Sequence, residues 1–157
     1  MLWESVKDEF VCDGSWRDIC VPAVGLEEWQ GASEAIVAAG YPGRFAVDGA
    51  AKDLPGEVGE LFALRSVASP VWSVFVSGVQ LNCHFFDEAE IEFDLDPREV
   101  VGQAELDGLL CFMAALSAAT RRAALMTPEN MHEVPFIRVE PSGVAEYISP
   151  NPARGRL

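Results

Sequence analysis

Seven consecutive residues, Glu90-Ile91-Glu92-Phe93-Asp94-Leu95-Asp96, alternate strictly between acid and hydrophobe. Side chains on an extended chain point alternately to opposite faces, so this period of two specifies a β-strand with one buried and one polar side. The preceding segment, Val79 to Phe86, alternates as well. Asp87-Glu88-Ala89 is a short connection between the two, although it lacks the glycine such loops prefer. One register satisfies both strands. Phe86 faces Glu90, Phe85 faces Ile91, Cys83 faces Phe93 and Leu81 faces Leu95; on the other side His84 faces Glu92, Asn82 faces Asp94 and Gln80 faces Asp96. A slip of one residue would turn a strand inside out. Continuing back through Ser77-Gly78 sets Val74 beside Leu81 and Trp72 beside Cys83. The expectation is a three-stranded antiparallel meander over residues 71–96. One side packs on helices, and the other carries Ser73, Gln80, Asn82, His84, Glu90, Glu92, Asp94 and Asp96.

Around this meander the pattern reads as α+β, with N- and C-terminal hairpins extending the antiparallel sheet and about three helices covering one face. Asp13-Gly14 suits a tight turn between Phe10-Val11-Cys12 and the stretch Trp16 to Val21. A helix from about Leu26 sets Leu26, Trp29, Ser33, Ile36 and Val37 on one face, and Gly40 with Pro42 stops it. A short strand from Arg44 to Asp48 closes at Asp48-Gly49, and Pro55 opens a second helix with Val58, Leu61 and Phe62 inward. A third helix, Gln103 to Ala119, carries the stripe Leu106, Leu109, Leu110, Met113 and Leu116. A strand at Ala124 to Met126, the loop Thr127 to Asn130, and a hairpin of Val134 to Glu140 with Val144 to Ser149 complete the reading. Residues 1–150 form one domain, and the Pro-, Arg- and Gly-rich residues 151–157 a flexible tail.

Composition narrows the function. Half of the 157 residues are hydrophobic, enough for a core, and the formal net charge is −14. Phosphate contacts need a basic footprint, so nucleic acid is not an expected partner. The charged start lacks the apolar segment of a signal peptide, and the longest apolar run, Leu109 to Leu116, is far too short for a bilayer. A cytoplasmic protein with no membrane partner is expected. Cys12, Cys20, Cys83 and Cys111 lack metal spacing and sit in apolar stretches, which reads as reduced core thiols. Trp16, Trp29 and Trp72 fall on buried faces, whereas Trp3 near the terminus is free to be exposed.

Successive acids on the strand stand about 6.6 Å apart, a repulsion of only about 0.6 kcal/mol per pair in bulk water. Three uses fit such a face: plain solvation, docking of a basic protein, or cation binding. Hard cations want converging oxygens and a flat strand spreads them, so no metal is expected. The register gives one His–carboxylate pair, His84 with Glu92, and the other histidine, His132, lies in a loop. His132-Glu133 lacks the second histidine of H-E-x-x-H, and no G-x-S-x-G, P-loop or G-x-G-x-x-G is present. The chain is therefore expected to be a non-enzymatic acidic protein-binding module without a cofactor. Glu90, Glu92, Asp94 and Asp96 lead the contact residues, with His84 and Asn82 beside them. Two alternatives stay open. A small enzyme or cation-binding protein would use His84 with Glu92 and Asp94, an enzyme presenting a concave pocket that contains His84 or His132, and an assembly subunit or homodimer would expose a large apolar patch.

The segments Asp13-Gly14-Ser15-Trp16-Arg17-Asp18-Ile19, Asn82-Cys83-His84-Phe85-Phe86, Glu90-Ile91-Glu92-Phe93-Asp94 and Leu125-Met126-Thr127-Pro128-Glu129-Asn130 resemble an uncharacterised family of small acidic bacterial proteins. That family is similar to the immunity proteins of polymorphic toxin systems. The resemblance implies a cytosolic binder that neutralises a basic toxin domain by occlusion, and it implies no catalytic residue.

Overall fold

The computed structural model describes residues 1–149, so the tail expected over 151–157 lies outside the described residues. In chain order the elements are α1 (Trp3–Val6), a 3-10 turn at Lys7–Phe10, β1 (Arg17–Pro22), α2 (Leu26–Ala38), β2 (Gly43–Val47), β3 (Ala50–Lys52) and α3 (Val58–Arg65). Then come β4 (Pro70–Val76), β5 (Val79–Cys83), β6 (Glu90–Leu95), a 3-10 turn at Pro97–Glu99, α4 (Gln103–Thr120), β7 (Ala124–Pro128), β8 (Ile137–Val139) and β9 (Ala145–Tyr147). The strands form one antiparallel sheet in the order β3-β2-β4-β5-β6-β1-β7-β8-β9. The fold is α+β. Among the described residues no helix is long and apolar enough to cross a membrane.

The central meander follows the expected register where Trp72 opposes Cys83, Val74 opposes Leu81 and Asn82 opposes Asp94. However, β5 ends at Cys83, so the expected Phe85–Ile91 and Phe86–Glu90 pairs do not form and Asp87 bridges Glu90 instead. Adjoining pairs extend one apolar row through Phe93, Ile19, Met126, Ile137 and Tyr147. Phe93 in this row meets Phe112 of α4 edge-to-face at 5.2 Å and Trp72 at 6.1 Å. The helix stripes close over the row. Leu106, Leu109, Met113 and Leu116 of α4 are fully buried, as the period demands, and Phe112 joins them. On α2, Trp29, Ala32, Ser33 and Ile36 are buried, whereas Leu26 and Val37 are exposed because the buried arc is narrower than their spacing suggests. Gly108 lets α4 press onto the β4–β5 turn; a Cβ there would collide with Ser77.

Three expectations are corrected. First, the N-terminal hairpin does not form. Residues 3–10 are helical, and the segment to Trp16 wraps the buried side chain of Arg17. The guanidinium donates through Nε to Glu9 O at 2.6 Å, through Nη2 to Val11 O at 3.1 Å, and through Nη1 to Trp16 O and Ser15 Oγ at 2.9 and 3.0 Å. Carbonyls that a hairpin ladder would pair are taken by this one cation, and β1 finds its partners in β6 and β7 instead. Second, Trp16, expected on a buried face, is exposed; the turn Asp48-Gly49, with φ of 49° and 81°, closes β2 as expected and leads into β3, which pairs with β2. Third, only Cys20 and Cys83 are buried; Cys12 and Cys111 are exposed, and all four are free thiols. The C-terminal hairpin forms as expected, β8 against β9 around Pro141-Ser142-Gly143.

Lysine in place of arginine at position 17 keeps the charge but cannot reach separate carbonyls through a planar fork. Arg17→Lys should therefore cost about 2–4 kcal/mol, lowering Tm by roughly 4–16 °C in a domain of this size. Thermal unfolding followed by circular dichroism measures this; an unchanged Tm would show that Arg17 does not hold the N-terminal segment.

Candidate functional site

The meander does not end at β6. Because β1 pairs along the other edge of β6, a polar row runs across five strands on the face opposite the helices: Ser73, Asn82, Asp94, Asp18 and Thr127. Asp18 thus sits directly opposite Asp94, and Cys20 opposite Glu92. The acidic strand is an interior strand with neighbours on both sides. Its carboxylates are half-buried, Glu90, Glu92 and Asp94 each keeping 21–23% of their side-chain surface, and Asp18 only 3%.

Hydrogen bonds knit the row together. Ser73 Oγ donates to Asn82 Oδ1 at 2.9 Å and Gln80 Nε2 donates to the same oxygen at 2.7 Å. Asn82 Nδ2 donates to Asp94 Oδ1 at 3.0 Å. After Cys83 the chain leaves the ladder through Phe85, whose φ is 55°. This swings His84 along the strand, so that its Nε2 donates to Asp94 Oδ2 at 3.0 Å and does not face Glu92 as the regular register predicts. His84 stacks on exposed Phe86, over which Arg65 lies at 5.2 Å. The bond to Asp94 raises the His84 pKa above its ordinary value, outweighing burial, and Glu92 adds to the rise while Arg65 opposes it.

The other half of the site comes from the segment after β7, which folds back over the sheet. Asn130 N donates to Asp18 Oδ2 at 2.7 Å, and Glu129 accepts from Trp16 N at 2.9 Å. His132 lands among three acids: Nδ1 is 2.7 Å from Glu90 Oε1, and Nε2 is 3.4 Å from Asp18 Oδ2 and 3.5 Å from Glu92 Oε2. Burial works against the charged form of His132, but Glu90, Glu92 and Asp18 together raise its pKa. Burial likewise raises the pKa of Asp18 and of Glu92, each increased further by other carboxylates. Burial, with Glu90 beside it, keeps Cys20 a protonated thiol.

Beside His84 lies a recess of about 460 Å³ lined by Trp16, Asp18, Asn82, His84, Phe86, Glu92, Asp94, Glu129 and Asn130. It holds three of the expected contact residues on one floor, Asn82, Glu92 and Asp94, with His84 on its wall. Glu90 lies to one side, against His132. Asp96 is separate: it lies beyond the end of β6, caps the turn Pro97–Glu99 and binds Arg98, which lowers its pKa. Asp18 is the residue that sequence reasoning missed, and His132, placed in a loop, was tied to none of its acid partners. Asp18 carried a signal, an acid at the head of the apolar run Ile19 to Val21, but His132 meets Glu90 only through the strand order. The recess has the concavity that acid–base use of His84 would need. No Ser, Thr, Cys, Lys or Arg is among its lining residues.

The chain matches no family model, no curated protein and no solved structure.

His84 supplies a pH readout. Its folded pKa is raised, so the stabilisation from the Asp94 pair is fully present below the unfolded imidazole value of 6.5 and is lost as pH rises through the higher folded value. By NMR, the assigned His84 ring proton should titrate above 6.5, and Asp94→Asn should bring the midpoint back toward it. A wild-type midpoint at or below 6.5 would contradict the pairing.

Proposed function

We propose that this protein is a non-enzymatic binding module that receives a cationic side chain of a basic partner protein in its acidic recess, in the manner of an immunity protein occluding a toxin domain. The observation carrying this reading is the charge imbalance of the site. Asp18, Glu90, Glu92 and Asp94 stand against His84 and His132, so two negative charges remain even with both imidazoles protonated. In a half-buried setting with an effective dielectric of ~20, neighbouring carboxylates about 6.6 Å apart repel by about 2.5 kcal/mol, against about 0.6 kcal/mol in bulk water. An incoming cation relieves that repulsion. A lysine or arginine also meets exposed Trp16 at the rim, an aromatic face suited to cation contact and to anchoring an interface. The chain's net charge of −14 steers a basic protein toward it over a longer range. Asp96 is removed from the contact set, because Arg98 already neutralises it.

An oligolysine peptide titrated into the isotopically labelled protein tests this. The Asn82 side-chain amide and the Trp16 indole resonances should shift saturably with oligolysine and not with oligoglutamate. Affinity should fall about tenfold or more between low and half-molar salt. The isosteric pair Glu92→Gln with Asp94→Asn should weaken binding, and Asp96→Asn should leave it unchanged. Shifts scattered evenly over the surface, or an affinity indifferent to the Glu92 and Asp94 changes, would overturn the assignment of the recess.

A further inference from the structure

The geometry points to a metal site beside the recess floor: we propose that Asp18, Glu92 and His132 bind a divalent transition-metal cation of the zinc type. This inference does not rest on partner docking, since its central residue, His132, is not among those lining the recess.

The argument starts at the imidazole. Nδ1 of His132 lies 2.7 Å from Glu90 Oε1. A carboxylate offers no proton, so a contact this short places a proton on Nδ1; in the neutral ring Nε2 then keeps its lone pair, and a metal ion binding there displaces any second proton. That Nε2 is shielded from solvent and has no hydrogen-bond partner among the described residues. It faces Asp18 Oδ2 at 3.4 Å and Glu92 Oε2 at 3.5 Å. In that neutral form three electron-pair donors converge, and Asp18 is almost wholly buried. Such an arrangement is repulsive unless a positive charge offsets it, a proton on Nε2 or a metal cation in that proton's place.

The separations fit a cation. Zinc bonds nitrogen and oxygen at about 2.0–2.2 Å, so two ligands of a tetrahedral ion stand roughly 3.3–3.6 Å apart. Both measured distances to Nε2 fall in that interval. The surroundings fit as well. A metal-bound histidine usually gives its other N–H to a carboxylate, which fixes its tautomer and orientation; Glu90 stands in that place, and Asn130 N holds Asp18. Asp18 and Glu92 both line the recess, which leaves the fourth coordination position open to solvent or a ligand. One nitrogen and two oxygens are too few for calcium and a poor match for magnesium, which want six or more hard oxygens. A flat strand spreads its acids, as the sequence reading held. Here convergence comes from β1 and from the segment after β7, which bring Asp18 and His132 to Glu92.

The test uses the full chain freed of metal with a chelator. Zinc should bind one to one by calorimetry, tighter than about 0.1 mM, and raise Tm. Calcium and magnesium should do neither at the same concentration. Cobalt should give the visible absorption bands of a four-coordinate ion. His132→Gln should abolish zinc binding, Glu90→Gln should weaken it about 10–100-fold, and Asp96→Asn should leave it intact. In the unaltered protein the Nε2 resonance of His132 should move on zinc addition, a readout independent of whether any variant folds. Absence of saturable zinc binding, a stationary Nε2 resonance, or binding that survives His132→Gln would overturn the site. Oligolysine titration in the presence of chelator reads the docking proposal separately: intact oligolysine binding with no zinc binding would remove the metal site alone.

Discussion

Carboxylates at alternate positions of an interior strand cannot move sideways into water, and the polar face of this sheet is organised around holding them there. On an edge strand Glu90, Glu92 and Asp94 would repel one another only weakly. Between β5 and β1 they lose most of their solvent and gain Asp18 as a fourth negative neighbour directly across from Asp94. Each feature of the site answers that cost. Asn82 donates to Asp94, His84 donates to its other oxygen, Asn130 donates to Asp18, and His132 is drawn among the rest. The shielding is incomplete. A surplus of negative charge in the recess is what the proposed binding of a cation, whether an ion or a basic side chain, would draw on.

Arg17 governs the other side of the same strand. Residues 17 and 18 are adjacent, and successive residues point to opposite faces. One therefore anchors the N-terminal segment beneath the sheet while the other enters the acidic row above it. The carbonyls of Glu9, Val11 and Trp16 converge on the guanidinium, which fixes where β1 begins and hence the register that sets Asp18 against Asp94. Stability on the helix side and chemistry on the recess side thus share a strand, so damage to the Arg17 cradle should also disturb the site.

What was legible followed from local periodicity. The alternation in Val79 to Asp96 fixed the meander, its apolar face and the Asn82–Asp94 pairing, because only one register keeps like with like. Helix stripes in α2 and α4 were legible for the same reason. The displacement of His84 was not, because it depends on Phe85 adopting a left-handed backbone to reach the core between Trp29 and Phe62. The Asp13-Gly14 turn misled because a dipeptide preference is weak beside a buried guanidinium that needs acceptors.

The sequence by itself determined that residues 90–95 form a strand with acids on one side and that this side opposes the helices; side-chain alternation along a chain is a local property. Only the tertiary structure decided that β1, some seventy residues earlier in the chain, would insert between β6 and β7. The same is true of the segment after β7, which folds back across the face. These placements depend on long-range burial and on where each edge finds its hydrogen bonds. They turn an acidic strand into the floor of a recess with His84 on its wall and set His132 against the neighbouring acids.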